Sequence, residues 1–470
     1  MLVGVLLALA ASQPDPAVPD VDEFAFSLTR HTLERYVADL PGLKKRGVLR
    51  VLTRNNSVSY YVARGAERGF EFELASAFAE ALGLRVTFVV PERRGQLIGA
   101  LLAGEGDIVA AGMSVTPARS EKLEFTRPYL KSQRVVATRD GLVPAPHDPR
   151  DLLDLTIHLS FRSTTFQDAK ALSAELGAPL RLVDVEDGVE MERMMERVAD
   201  GTYEATIVDD VLLGLEQAAG LPLAAGPGIG QPRDKAWAVH PAAPRLARAA
   251  NRFLDRQRRL VAILRGRYFR PSRTARSARS EVYRADRSGR ISPYDRLFRR
   301  VGERVGIDWR LLAAVAYTES RFDPVAKSRF GARGLMQLLP TTAARVGATR
   351  LFDPAENVEA GGKYLRRLMK VFAGDGVDRE EQIRFAVAAY NCGLGHVMDA
   401  RNLAKRTGRD PNRWFGQVEA AMKLKEQPEW HRTTRYGYAR ARETIAYVAR
   451  VQSQYEVFTR HVTLDGEPIE

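Results

Sequence analysis

Residues 308–322 read DWRLLAAVAYTESRF, and their apolar side chains recur at helical spacing. Asp308 is suited to cap this helix, and Ile307 and Leu312 flank the cap as a hydrophobic staple. Pro324 is expected to stop the helix. The predicted buried face consists of Leu311, Val315, Thr318 and Phe322.

Glu319 borders this face, one position after Thr318 and four after Val315. A carboxyl group held against an apolar wall is harder to ionise, so its pKa rises toward the value that a general acid needs near neutral pH. The alternative is an exposed helix-terminal glutamate paired with Arg321 or Lys327. Taken alone, this helix favours the alternative, because glutamates at helix edges are common.

The next segment, SRFGARGLMQLLP at 328–340, places a glutamine inside an apolar run. Gly331 and Gly334 predict a tight turn ahead of it. The amide of Gln337 needs hydrogen-bond partners in such surroundings. Two interpretations follow from the residues: an amide satisfied within the core, or an amide that faces a cleft.

Two later helix segments also carry polar side chains. In AAYNCGLG at 388–395, Tyr390 and Asn391 come at the end of a helix, where an asparagine can also be a simple turn residue. In ETIAYV at 443–448, Tyr447 follows Glu443 by one helical turn.

Taken together, these segments resemble the catalytic domain of the SLT-type lytic transglycosylases, which is related to goose-type lysozyme. One match to ESxFxP would be weak, whereas the ordered set over about 286–450 is specific. The matching residues are Glu319-Ser320-x-Phe322-x-Pro324, Gly334-Leu335-Met336-Gln337, Ala389-Tyr390-Asn391-x-Gly393 and Tyr447-Val448.

The resemblance implies cleavage of the β-1,4 bond between N-acetylmuramic acid and N-acetylglucosamine in peptidoglycan, leaving a 1,6-anhydromuramic end. By this match Glu319 is the acid and then the base, whereas most glycosidases use two carboxylates. Asp323, beside Pro324, is expected to serve in a turn. The residues implied to line the glycan cleft, or to orient the N-acetyl group or the glutamate, are Ser328, Met336, Gln337, Tyr390, Asn391 and Tyr447.

The first part of the chain alternates strand and helix patterns. Segments 46–54 and 85–90 are of strand type, and 69–84 between them is an amphipathic helix. The same alternation recurs over 150–230, which predicts an α/β unit with a largely parallel sheet. Beyond an Arg- and Ser-rich linker at 269–285, all predicted elements are helices. We therefore expect an α/β domain followed by a mostly helical, lysozyme-like domain over 286–460.

The α/β part resembles periplasmic solute-binding domains that take amino acids. The resemblance rests on GFEFELASAFAEALGL, GEGDIVAAGMSVTPARSEKLEFTRPYL and DGTYEATIVDD. It implies two lobes within 40–268, the second at about 136–231, with the ligand between them. The implied ligand residues are Ser114, Thr116 and Arg119 for a carboxylate, Ser163 and Thr164 as a hydroxyl site, and Asp209 for an amino group.

One residue departs from this pattern. Arg162 stands where the family usually has glycine, which speaks against a free amino acid as the ligand. In a second interpretation, the ligand is a cell-wall peptide. A third interpretation is an ion pair between the lobes with no ligand at all.

Composition narrows the class of protein. The 470 residues carry 71 Lys and Arg against 58 Asp and Glu, a formal net charge of +13. This charge favours an acidic partner such as nucleic acid, a membrane surface or an anionic wall polymer. Nucleic acid is not expected as a partner, because no binding module is recognised. With the single Cys392 and no ligand spacing among seven histidines, we expect neither a disulfide nor a metal or other cofactor.

The apolar stretch within 1–11 has the length of a signal-peptide core and is too short to span a bilayer. We therefore expect a periplasmic protein, peripheral at the outer membrane. A solute-binding domain followed by a transglycosylase domain resembles the membrane-bound lytic murein transglycosylases. Two rivals remain at this point: an amino-acid-binding protein with a non-catalytic helical tail, and a lysozyme-like hydrolase that admits water.

Overall fold

The computed structural model describes most of the chain, namely residues 35–56, 58–91, 96–185, 189–270, 289–374 and 376–469. The predicted apolar segment 1–11 and most of the predicted linker lie outside these residues. The chain forms two compact units. One is helical and spans Tyr294–Glu456, and the other contains the preceding α/β part together with Val457–Glu470.

The α/β unit contains all twelve described strands, in two five-stranded sheets and one two-stranded ribbon. The strands are β1 Val48–Leu52, β2 Tyr61–Ala63, β3 Ala66–Arg68, β4 Arg85–Val89, β5 Ile108–Val109, β6 Glu124–Phe125, β7 Leu130–Arg139, β8 Thr156–Leu159, β9 Arg181–Asp184, β10 Ala205–Asp209, β11 Leu223–Lys235 and β12 Ala238–Val239.

The helices of this unit cover the faces of the sheets. They are α1 Leu40–Arg46, α2 Phe70–Ala81, α3 Gln96–Leu102, α4 Pro117–Ser120, α5 Thr164–Leu176, α6 Met191–Ala199, α7 Asp210–Ala219, α8 Pro244–Arg256 and α9 Arg258–Tyr268, with a 3₁₀ helix at Pro149–Asp154.

The first sheet has the order β4-β1-β5-β12-β6, with β1 parallel to both β4 and β5. The second has the order β11-β7-β10-β8-β9, with β10, β8 and β9 parallel. Strands β7 and β11 pair antiparallel, with Leu130 opposite Lys235. The α/β fold is therefore confirmed, and each sheet is the centre of one lobe. The expectation of a largely parallel sheet is wrong, because β12 pairs antiparallel with β5 and β6, and β7 pairs antiparallel with β10 and β11.

The core of the first lobe is aromatic and apolar. Phe78 of α2 packs on Trp237 with ring centroids 5.6 Å apart, and on Phe253 at 5.3 Å. Leu74 and Phe78 are fully buried, as the helical pattern of α2 predicted. This core places β5 and its following loop, which carries Ser114, next to the strands that cross between the lobes.

The second unit is helical, as predicted. Its helices are α10 Asp295–Val305, α11 Trp309–Ser320, α12 Pro340–Ala344, α13 Pro354–Phe372, α14 Arg379–Cys392, α15 Leu394–Arg406, α16 Glu419–Leu424, α17 Pro428–His431 and α18 Ala441–His461, with a π-type turn at Trp414–Val418. None of the described helices has the length and the apolar character needed to cross a bilayer.

Helix α11 begins as predicted and ends earlier. Asp308 is its N-cap, with its carboxylate accepting the backbone N–H of Arg310 at 2.8 Å. The helix ends at Ser320, because Arg321 and Phe322 take left-handed conformations with φ of 56° and 64°. The prediction that Phe322 continues the helical stripe is therefore wrong, although its side chain is buried.

Candidate active site and ligand cavity

Glu319 lies in the last turn of α11, beside the core of the helical unit. Its side chain is partly buried, and its Oε1 accepts a hydrogen bond from the Tyr447 hydroxyl at 2.7 Å. Burial raises the pKa of Glu319 to about 7, against smaller lowering effects from Tyr447 and Arg450. Arg321 instead lies over the ring of Tyr317 at 4.2 Å. Glu319 is therefore a buried, protonatable group and not a paired surface residue.

Two tyrosines lie near this carboxyl group, and one of them donates a hydrogen bond to it. Tyr447, on α18, is buried, and burial together with the nearby Glu319 raises its pKa well above the usual value. Tyr390, at the end of α14, has its pKa raised for the same two reasons. The Tyr390 hydroxyl donates to the Met336 carbonyl at 2.8 Å. Both phenols remain protonated at any physiological pH, so they can donate but not act as bases.

The loop after α11 is tied back to that helix by side chains. Ser320, next to Glu319, donates its hydroxyl to the Leu335 carbonyl at 2.7 Å. The buried Asn357 on α13 accepts the Met336 N–H at 2.8 Å and donates to the Leu351 carbonyl at 2.8 Å. These contacts fix the 333–336 segment relative to Glu319. The sequence prediction did not include Asn357, because its complete burial is visible only in the structure.

Gln337 resolves the alternatives that the sequence left open. Its amide nitrogen donates to the carbonyls of Ala326 at 3.0 Å and Gly334 at 2.9 Å, so the side chain braces the loop from inside. Its backbone is left-handed, with φ of 46°, which costs energy for a residue other than glycine. Within the described residues its Oε1 has no hydrogen-bond donor, so this oxygen is available to a ligand.

Gly334 is required for this loop to close. Its φ is 76°, and a Cβ placed on it would lie 2.1 Å from the Leu351 carbonyl oxygen and 2.5 Å from the Asn357 amide. Any other residue here would push the loop off Asn357. The glycine therefore sets the close approach that Ser320 and Asn357 then fix.

Three other predicted cleft residues differ in their surroundings. Ser328 accepts the Ala332 N–H at 3.0 Å and holds a turn. Asn391 is exposed and accepts the Thr444 hydroxyl at 2.9 Å. Met336 is fully buried and packs against Gly361, so of the roles predicted for it the structure suits orientation of the site and not contact with a glycan. Its carbonyl, which holds Tyr390, is its contribution to the site.

Asp323 serves in a turn, as predicted. Its carboxylate accepts the backbone N–H of Val325 at 3.0 Å. Among the residues described, no second carboxylate is hydrogen-bonded to Glu319. A lone carboxyl with a pKa about 7 can give up a proton and take one back under the same conditions. The arrangement therefore fits acid–base chemistry by one group.

The α/β unit holds a cavity of about 170 Å³ between its two sheets, and it is lined by five of the six predicted ligand residues, namely Ser114, Arg119, Ser163, Thr164 and Asp209. Thr116 is not among the lining residues and precedes helix α4. Sequence reasoning missed Arg54, Arg134 and Lys235, which also line it.

The cavity contains an internal ion network. The ammonium group of Lys235 lies 3.0 and 2.9 Å from the two oxygens of Asp209, and 2.9 Å from the Ser114 hydroxyl. The Arg134 guanidinium lies 3.4 Å from the same carboxylate. Arg54 pairs with Glu190 in front of α6. The Arg54–Glu190 pair joins the two lobes, as the ion-pair interpretation expects, whereas Asp209, Lys235 and Arg134 all lie on strands of the second sheet.

Two protein families match this chain. The profile described as Transglycosylase SLT domain matches residues 296–412. The profile described as Bacterial extracellular solute-binding proteins, family 3, matches residues 49–270. The first covers Glu319 and the loop that Asn357 braces, and the second covers the cavity.

Relatives match both units together. A protein of Stutzerimonas stutzeri named membrane-bound lytic murein transglycosylase F is 33% identical over 428 residues, covering 90% of this chain and 87% of its own. One of the same name from Desulfosudis oleivorans is 33% identical and covers 90% and 92%. A crystal structure of a mutant ArgBP from T. maritima is 21% identical, with a TM-score of 0.44, and covers 49% of this chain and 98% of its own.

Proposed function

The chain belongs to the family of the membrane-bound lytic murein transglycosylases F, and on that premise we propose that Glu319 cleaves peptidoglycan without water. The bond concerned is the β-1,4 link from N-acetylmuramic acid to N-acetylglucosamine. The observation that carries the proposal is a single buried carboxyl group whose pKa is about 7, hydrogen-bonded to a buried tyrosine.

In the first step, protonated Glu319 gives its proton to the glycosidic oxygen as the bond from that oxygen to C1 breaks. N-acetylglucosamine leaves with a free hydroxyl group. Tyr447 holds the carboxyl group in place, since its hydroxyl donates to Oε1 at 2.7 Å. A pKa near neutral keeps a useful fraction of the acid form while leaving the carboxylate basic enough for the next step.

In the second step, the 6-hydroxyl oxygen of the muramic residue attacks its own C1. The Glu319 carboxylate takes the proton of that hydroxyl, which restores the acid and gives the 1,6-anhydro ring. No water is consumed. Gln337, through its Oε1, and Asn391, through its exposed amide, are the contacts we assign to the N-acetyl groups and hydroxyls of the glycan.

The test is digestion of purified sacculi, with the products weighed by mass spectrometry. We expect muramic ends that are lighter than reducing ends by one water. Products with reducing ends only would make the enzyme a lysozyme-like hydrolase. Glu319→Gln should lower the rate at least about 100-fold, since acid–base catalysis contributes roughly that much or more. Glu443→Gln, at an exposed glutamate near Tyr447, is the matched control and should leave the rate unchanged.

For the α/β unit we propose binding of a small ligand, a cell-wall peptide or an amino acid, that regulates the enzyme. Its support is the match to solute-binding proteins and the cavity between the sheets. A ligand shifts a protein between states only by binding one state better than the other. Added muropeptide should therefore raise the thermal stability of the full chain and change its turnover. If neither changes, this part of the proposal is wrong.

We also propose a periplasmic location with peripheral attachment to the outer membrane. The support is the name of the relatives, membrane-bound, and the signal-like apolar segment predicted within 1–11. The net charge of +13 suits contact with an anionic wall polymer. Fractionation of cells expressing the full chain tests this: the protein should sediment with envelope membranes. Recovery of the protein in the cytoplasmic fraction would contradict it.

A further inference from the structure

The position predicted to hold the amino group of a ligand is already filled by the chain itself. The ammonium group of Lys235 contacts both oxygens of Asp209 at about hydrogen-bond length, and the side chain is buried. A buried ion pair of this geometry is costly to break, because separation leaves an uncompensated charge. An incoming ammonium group would have to displace Lys235 to reach Asp209.

The cavity carries an excess of positive charge. Its described lining contains five cationic side chains and one carboxylate, and the latter is Asp209; the cations are Arg54, Arg119, Arg134, Arg162 and Lys235. Glu190 neutralises Arg54, and Asp209 is shared by Lys235 and Arg134. More cations than anions therefore face the cavity.

Arg119 is the cation best placed to receive a ligand. Its guanidinium donates to the Ser114 carbonyl at 2.9 Å, and among the described residues it has no acidic partner. Burial and, next to it, repulsion from the nearby Arg134, Arg54 and Arg233 together lower the pKa of Arg119 to about 10. Such repulsion is relieved when a carboxylate binds, and the planar guanidinium fits a carboxylate with two parallel hydrogen bonds.

The opposite wall adds a second attraction for anions. Ser163 and Thr164, at the N-terminal end of the 13-residue helix α5, both line the cavity. Helix N-termini favour negative charge because their first N–H groups point outward along the helix dipole. The cavity thus offers anion-binding groups on both lobes, with Arg119 on one and α5 on the other.

We propose that this cavity binds a small ligand with at least two carboxylates and no ammonium group, Lys235 standing where a ligand ammonium would be. One carboxylate pairs with Arg119, and the other meets the N-terminus of α5 and Lys235. The cavity volume of about 170 Å³ restricts the ligand to a small molecule or the acidic end of a peptide. This inference rests on the proposal that the α/β unit binds a small ligand.

The experiment is isothermal titration of the full chain with four probes. Glutarate represents a free dicarboxylic acid, and N-acetylglutamate represents an acylated, peptide-like one. N-acetylglutamine removes one carboxylate and keeps the shape, and L-arginine supplies an ammonium group. We expect N-acetylglutamate to bind at least tenfold more tightly than N-acetylglutamine and L-arginine. The ratio of glutarate to N-acetylglutamate affinity then separates the two sources of the acid.

Two variants test the roles of the cations. Lys235→Met should weaken N-acetylglutamate binding about tenfold or more and improve L-arginine binding, since Asp209 then loses its ammonium partner and keeps Arg134. Arg119 is partly exposed, so its replacement in Arg119→Met should leave the fold intact. This variant should weaken the binding of all carboxylate probes. Lys131→Met removes the same charge from the exposed face of β7 and should change neither affinity.

Each contrary result overturns the inference in a recognisable way. If wild-type protein prefers L-arginine, the α/β unit binds a ligand but not the acidic class. If none of the probes binds at millimolar concentration while sacculi are still cut, the ligand inference fails and the assignment of Glu319 stands. If Lys235→Met leaves the order of the probes unchanged, Lys235 does not take the ammonium position.

Discussion

In the proposed mechanism, Glu319 sets the pH range in which the enzyme works. Its pKa is about 7 because burial disfavours the charged form. The first step needs the protonated acid, so turnover should fall as the pH rises through about 7, by tenfold for each further pH unit. The measurement is the rate of product release from sacculi between pH 3 and 9. A descending limb near 4.5, the value of an unperturbed glutamate, would show that burial does not control this group.

The Tyr447→Phe variant separates the effect of the hydrogen bond on the pKa of Glu319 from the effect of burial. The Tyr447 hydroxyl lowers the pKa of Glu319, so its loss should move the descending limb of the pH profile to higher pH. We also expect a fall in rate of roughly fivefold at pH 6, from about 1 kcal/mol of lost positioning. Tyr438→Phe, at an exposed tyrosine, is the control. An unchanged pH limb would mean that Tyr447 only fills space.

The roles of single residues were only partly predictable. The helical pattern placed Glu319 at the edge of the buried face, but Tyr447 is 128 residues away and no local pattern joins the two. The apolar run around Gln337 predicted that its amide needs partners, and it has them, in the Ala326 and Gly334 carbonyls. Met336 in the same run is buried, which the family match alone did not reveal.

At the scale of elements, the position of the 333–336 loop depends on Asn357 of α13. Asn357→Ala leaves the Met336 N–H and the carbonyls of Leu351 and Arg333 without partners. We expect a loss of roughly 2–6 kcal/mol in the free energy of unfolding of the helical unit, since two of these hydrogen bonds are buried and each unsatisfied buried group costs about 1–3 kcal/mol. The rate of cleavage of sacculi should also fall, because the loop is no longer held in position beside Glu319.

The control for this variant is Asn402→Ala, at an exposed position of α15. Urea unfolding measures both variants, and the rate on sacculi is measured at a temperature where both remain folded. If Asn357→Ala loses stability and keeps the full rate, the loop does not need this brace for catalysis, and Ser320 alone holds it.

Element boundaries show what sequence patterns can and cannot fix. The sequence predicted the helix cap correctly, since Asp308 accepts the N–H of Arg310. The sequence did not predict the end of α11, because Arg321 and Phe322 adopt left-handed conformations that their side chains do not favour. Such a turn is stable only where tertiary contacts impose it. In this case the buried Phe322 and the Ser320–Leu335 bond supply those contacts.

At the scale of the whole molecule, the strand and helix periods predicted the two fold classes, and the division of the chain was less readable. The residues after Glu456 pack with the α/β unit, although α18 continues without a break to His461. A helical pattern tells where a helix runs but not which core receives each of its turns. The contacts that decide this come from Tyr60 and Phe88, which lie far away in the sequence.

Deletion of residues 457–470 should therefore destabilise the α/β unit, although these residues lie at the opposite end of the chain from the rest of that unit. The ring of His461 lies 5.1 Å from that of Tyr60, and Arg460 donates to the Phe88 carbonyl. Without them the buried ring of Tyr60 gains exposure to water, and each large side chain so exposed costs about 1.5–3 kcal/mol. Differential scanning calorimetry of the full and shortened chains should show a lower transition temperature for the α/β unit. If instead only the helical transition moves, these residues stabilise the catalytic unit and their assignment to the α/β core is wrong.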